Sequence, residues 1–154
     1  MPNMKWKDLT TRQLGQYGEY YAKMEFTSYG YEVYTPEVDD HGVDFVVKDT
    51  DGHFYEVQVK SVRQDNYLPI AYDKFQANFS DYFIICYIRF KDDEMPKMYL
   101  IPTSAWETPN ALLPNYRYDK GQKSNPEIGI SYNPKNAPLL EKWKAANFFE
   151  GASR

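Results

Sequence analysis

Cysteine is almost absent from this sequence, and that excludes a good deal. Cys86 is the only one in 154 residues, so the chain has no intramolecular disulfide and no cysteine zinc cluster. It sits in the apolar run "DYFIICYIRF", where an inert buried thiol is expected rather than a nucleophile. Histidine is also scarce, with two residues. No long hydrophobic run exists. The longest, Tyr82 to Ile88, is far too short to span a bilayer. The opening "MPNMKWKDLTTRQ" lacks the apolar centre of a signal peptide, so a soluble cytoplasmic protein without a membrane partner is expected. A basic excess is missing too. Eighteen Lys and Arg against 22 Asp and Glu leave a net charge of −4, which argues against coating nucleic acid through bulk charge.

What is present is a chain of one-domain size, 1–154, long enough to bury a sizeable core. The negative excess is concentrated in residues 1–64, with 11 acids and 7 bases. Tyrosine is abundant, at 15 residues, and most are expected to pack with the hydroxyl at the surface.

The order of elements follows from capping, turn and periodicity signals. Thr10-Thr11-Arg12-Gln13 fits a capping box, and a helix is predicted from there to about Ser28, ending before Gly30. A short strand is predicted near 32–34. "GVDFVVKDTDGHFYEVQVKS" (42–61) reads as an antiparallel hairpin, because Asp51-Gly52 tolerates the positive φ of a tight turn. Further strands are predicted at 67–71, 82–90, 96–102 and 127–132. A closing helix is expected over 137–149, with Leu139, Leu140 and Trp143 on one side. Prolines 109, 114, 126, 134 and 138 make the region after Pro102 loop-rich. The expected fold is α+β, a central mixed sheet flanked by helices.

The hairpin poses a chemical question. Same-face side chains of a strand sit about 6.5–7 Å apart, so Phe54, Glu56, Gln58 and Lys60 share one face and Tyr55, Val57 and Val59 the other. Asp44 lies near Gln58 across such a hairpin. A solvated edge strand carries Glu, Gln and Lys for solubility alone, and that is one reading. The first helix supplies a second acid. Gly15, Glu19, Ala22 and Phe26 share a face, which suits a close approach to a sheet with the carboxylate aimed at it; an exposed Glu19 paired with Lys23 fits equally well.

Glu19 in "YGEYYAKMEF", Asp44 in "HGVDFVV" and Gln58-Val59-Lys60 in "YEVQVKS" together resemble the PD-(D/E)xK nuclease superfamily. The likeness covers residues 10–102 and leaves 103–154 as a C-terminal extension. It is strongest to small bacterial members related to resolvases, restriction enzymes and homing endonucleases. It implies a restriction-endonuclease-like core and Mg²⁺- or Mn²⁺-assisted hydrolysis of DNA phosphodiesters. In that pattern Asp44, Gln58 and the Val59 backbone carbonyl hold the ion, and Glu19 a second ion or one of its waters. Lys60 orients the attacking water and offsets charge on the phosphate. Two departures stand out. Val43 replaces the proline before the strand acid, and Gln58 stands where Asp or Glu is usual, as in some similar members. An amide oxygen ligates a hard cation without bringing charge.

Glu56 and the loop residue His41 are accessory candidates, and Asp39-Asp40 suit a turn. "NYRYDKGQK" (115–123) interleaves Arg117, Lys120 and Lys123 with tyrosines, a pattern that suits nucleic-acid contact, although a solvated loop has the same composition. Enzymes that cut both strands commonly pair two sites, so a homodimer is expected. A domain that keeps this fold with reduced catalysis and binds nucleic acid or protein is the alternative.

Overall fold

The computed structural model describes residues 2–38, 42–117 and 125–152. His41, Lys120 and Lys123, with Asp39 and Asp40, lie outside the described residues.

Helix α1 (Thr11–Ser28) begins as its sequence predicts. Thr10 Oγ1 accepts from the Gln13 amide and Gln13 Oε1 accepts from the Thr10 amide, closing the capping box. It ends where Gly30 turns left-handed (φ +88°) and the Tyr31 amide returns to the Phe26 carbonyl. Leu14, Gly18, Ala22 and Phe26 recur every fourth residue and form the buried stripe.

Strands β1 (Glu32–Tyr34), β2 (Phe45–Lys48) and β3 (Phe54–Val62) form an antiparallel meander. The β2–β3 turn is set by Asp49, whose Oδ1 accepts from the amides of Asp51 and His53, and by Gly52 at φ +91°. After β3 the chain crosses over through β4 (Tyr67–Ala71) and a 3₁₀ turn, Tyr72–Lys74. It returns as β5 (Phe83–Arg89), parallel to β3. β6 (Lys97–Pro102) pairs antiparallel with β5, so the main sheet runs β1-β2-β3-β5-β6. It is mixed and five-stranded, with β3 well inside it.

Sequence patterning alone does not reveal a second sheet. β7 (Asn115–Tyr116) and β8 (Glu127–Ser131) join β4 in the order β4-β8-β7. Ile70, Trp106, Ile128 and Ile130 bury against Ile85, Tyr87 and Ile101 on one face of the main sheet. The other face carries α1 and the C-terminal helix. There Phe26, fully buried, meets Phe45 and Phe149 edge-on at 5.9 and 5.2 Å.

The expected closing helix is broken into α2 (Ala137–Leu140), a 3₁₀ turn (Glu141–Trp143) and α3 (Ala145–Ala152). Lys144 leaves the helical region (φ −51°, ψ 137°) and bridges to Tyr99 of β6, which interrupts the helix. Leu140 is buried and Leu139 exposed, rather than both facing inward, because consecutive residues of a helix point in different directions.

Candidate active site

β2 is shorter than β3. Its pairing ends at Phe45 opposite Val57, so β3 continues past it through Gln58 to Val62 with no β2 partner. A notch opens at this point in the sheet. The chain reaches it through Gly42, at φ +74°, whose backbone lies so close to the turn after β4 that a β-carbon would collide with the Lys74 carbonyl.

Asp44 fills the notch. Its amide donates to the Val57 carbonyl at 2.9 Å, and its carboxylate Oδ2 accepts from the Val59 amide at 2.6 Å. In a strand the N–H and C=O of one residue point to the same neighbour. The Val59 carbonyl therefore faces the same notch as the Asp44 carboxylate, beyond the end of β2.

Gln58 and Lys60 pair with Ile85 and Tyr87, which places them on the sheet face toward the second sheet. A solvated edge strand does not account for them, because β3 is interior and Gln58 is only 5% exposed. The Gln58 Oε1 is buried and has no hydrogen-bond partner. Leaving a buried carbonyl unsatisfied costs about 1–3 kcal/mol, so this atom needs an explanation that packing does not supply. Lys60 is half-buried. Burial pushes its pKa below the ordinary lysine value, the Asp44 carboxylate partly opposes that, and the Lys74 ammonium adds to it. Asp44, Val59 and Lys60 are thus brought together.

Glu19 is held differently. Its carboxylate pairs with Lys23 at 3.3 Å, so the i,i+4 ion pair is the arrangement observed. The Lys23 Nζ is also 3.3 Å from Thr35 Oγ1 and 5.7 Å from the centre of the Phe45 ring. Glu19 therefore lies on the helix side of β2, tied through Lys23 to the residue after Asp44. The close approach of helix to sheet is real, but Gly18 makes it and Gly15 does not. A β-carbon on Gly18 would collide with Ser61 Oγ, whereas nothing lies within 4 Å of one on Gly15. The period-four stripe Leu14-Gly18-Ala22-Phe26 carries the signal that separates the two glycines.

Glu56 is exposed and lines a cleft of about 360 Å³ with Val43, Phe75, Gln76 and Asn78. Arg117 is exposed just after β7, in the second sheet. Cys86 is fully buried in β5, and burial, with a smaller contribution from Asp44, pushes its thiol pKa well up, as an inert cysteine requires. Sequence reasoning missed Lys74, which belongs to no strand pattern and reaches the site through the crossover. It also missed the group Asp49, Asp51 and His53 at the hairpin turn. Asp49 Oδ1 is already engaged there with two backbone amides.

The chain superposes on the bacterial homing endonuclease I-Ssp6803I with a TM-score of 0.54 and 19% identity, covering 94% of this chain and 95% of that one. It also superposes on Hjc, a Holliday junction resolvase from the archaeal hyperthermophile Archaeoglobus fulgidus, with a TM-score of 0.55 and 14% identity, covering 88% and 95%. The fold is that of the PD-(D/E)xK nucleases. No protein-family model and no curated protein sequence matches the chain, so at these identities the likeness is one of fold. On the main sheet, the notch at the end of β2 brings together Asp44, the Val59 backbone and Lys60. None of the helices among the described residues is long and apolar enough to cross a membrane.

Proposed function

We propose that this protein is a metal-dependent nuclease that hydrolyses phosphodiester bonds of DNA, with its site at the notch between β2 and β3. The observation that carries this reading is the Gln58 Oε1, buried without a partner on an interior strand whose next same-face residue is Lys60. The available donors are the Asp44 carboxylate, the Gln58 amide oxygen and the Val59 carbonyl. All are oxygens, the set a hard divalent cation such as Mg²⁺ or Mn²⁺ requires. A cation held there supplies Lewis-acid polarisation of the phosphate.

The remaining work falls to side chains. Asp44 is oriented for the ligand by the Val59 amide, which donates to its Oδ2. Lys60, on a half-buried stem, sets one positive charge against the phosphate as negative charge grows on it. Because burial disfavours its charged form, a larger share of Lys60 is neutral than of an exposed lysine, and that neutral amine can take the proton of the attacking water and become the positive charge beside the phosphate. Glu19 joins the site when Lys23 releases it to a ligand; Glu56 and His41 are accessory, and Arg117, Lys120 and Lys123 contact nucleic acid. Two copies acting together would cut both strands, and sedimentation at micromolar concentration tests that pairing.

The test is cleavage of a supercoiled plasmid, a linear duplex, a four-way junction and an RNA duplex in Mg²⁺ and in Mn²⁺, with and without EDTA. Wild type should cut DNA only with metal, and Asp44→Asn and Lys60→Met should not cut. Metal-independent cutting, or equal cutting by the variants, sinks the proposal. Binding of these nucleic acids without any cutting would instead favour a nuclease-fold binding module.

A further inference from the structure

The crossover between β4 and β5 brings a second lysine to the notch. Lys74 ends the 3₁₀ turn Tyr72–Lys74, is exposed, and takes part in none of the ion pairs among the described residues. Its charge is felt at Lys60.

The mount that carries Lys74 is rigid. The amides of Phe75 and Ala77 both donate to the Tyr72 carbonyl, at 3.3 and 2.8 Å, and the Asn78 amide donates to Phe75 at 2.9 Å. Gln76 and Ala77 hold φ of 53° and 49°, which non-glycine residues keep only where their surroundings over-determine them. Two anchors do so. The Phe75 ring is fully buried edge-on to Tyr72, Phe79 and Phe83. Thr103 Oγ1 donates to the Asn78 carbonyl at 2.6 Å. On its other side the turn is pressed against Gly42, two residues before Asp44.

A strained turn packed against Gly42, in the segment that leads to Asp44, thus carries Lys74 beside the notch, while Lys60 lies within it. Their mutual repulsion is relieved by a ligand that carries negative charges in series, as a phosphodiester backbone does. We propose that Lys74 is a positioning residue, which holds the phosphate next to the one attacked and so fixes where along the strand the cut falls. This rests on the nuclease reading of the notch.

The test measures binding and cleavage separately. Fluorescein-labelled DNA duplex and four-way junction are titrated in EDTA across a salt series with wild type, Lys74→Ala and Lys74→Arg. Removing one phosphate contact should weaken binding several-fold and lower the slope of log affinity against log salt by about 1. Lys74→Arg should restore both. In Mg²⁺, Lys74→Ala should raise KM more than it lowers kcat, and the cut position should spread to neighbouring bonds. An unchanged slope and an unchanged cut position overturn the role of Lys74 and leave the nuclease reading intact. A Lys74-dependent slope without cleavage by wild type supports the phosphate contact and overturns the nuclease reading instead. A wild type that binds neither DNA overturns both.

Discussion

The carboxylate of Asp44 and the backbone amide of Val59 are joined by a 2.6 Å hydrogen bond across the end of β2. That bond stands in for the strand pairing that stops at Phe45, so Asp44 has a structural duty beside any chemical one. The two separate by substitution. Asp44→Asn keeps an oxygen for the Val59 amide and should cost less than about 1 kcal/mol. Asp44→Ala strands that amide and should cost about 1–3 kcal/mol. Metal binding by calorimetry and DNA cleavage should be lost in both. Thermal melts showing both variants equally stable would mean that the bond contributes nothing to the fold.

Lys60 should behave as a residue kept at the expense of stability. Lys60→Met fills similar volume without charge and should raise stability by about 1 kcal/mol at neutral pH while removing cleavage. The pH dependence has a definite sign. The folded pKa lies below the ordinary 10.5, so below it both states are protonated and the burial penalty is in full force. As pH rises through the folded value toward 10.5, the native state sheds its proton first, and this lysine's contribution becomes less unfavourable. Tyr31 and Tyr55 act in the opposite sense. Burial, helped by neighbouring phenols and acids, raises both to about 12, so they erode stability as pH climbs above 10. The wild-type minus Lys60→Met difference cancels the tyrosines. Denaturation at stepped alkaline pH should show that difference shrinking toward pH 10.5, and a flat difference would remove the buried-charge account of Lys60.

The two glycines of α1 give a test of packing. Gly18→Ala drives a β-carbon into Ser61 and should destabilise by about 1–3 kcal/mol. Ser61→Gly should recover part of that loss when combined with it. Gly15→Ala meets nothing and should stabilise by about 0.5–1 kcal/mol through helix propensity. Urea titrations that rank the two substitutions the other way round would mean α1 is rotated from the orientation described.

That contrast also measures how much was legible beforehand. Helix α1, the β2–β3 hairpin and strands β5, β6 and β8 were readable, because each announces itself by a cap, a turn pair or an apolar run within a few residues. The grouping of Asp44 with Lys60 was readable from strand parity. The facing of Gly15 was misjudged, since spacings of three and four place several residues on a shared arc and only the partner surface selects among them. The second sheet was invisible for a related reason: β4 and β8 are about 60 residues apart, both are short, and β4 holds Pro69 within it while Pro126 precedes β8. The same holds for Lys74, which reaches the notch through tertiary packing against Gly42 and not through any local pattern.

Gln58 offers the sharpest test of the proposed chemistry. Its Oε1 is buried and unpartnered, which is costly in the free protein and useful only if a ligand completes it. Gln58→Met removes the polar atom while roughly conserving volume. It should stabilise the fold by about 1 kcal/mol or more and abolish activity. Gln58→Glu keeps the shape and adds a charge. If the amide oxygen ligates a divalent ion, Coulomb attraction at an effective dielectric near 20 favours the glutamate, and affinity for Mg²⁺ or Mn²⁺ should rise roughly tenfold after desolvation. Without metal the same variant should melt lower, because a carboxylate is then buried beside Asp44. Added metal should recover more melting temperature in Gln58→Glu than in wild type. Titration calorimetry and melts with and without metal read both effects. Equal metal affinity in wild type and Gln58→Glu, with a stabilised Gln58→Met that still cuts DNA, would show that the orphaned oxygen has no part in the reaction.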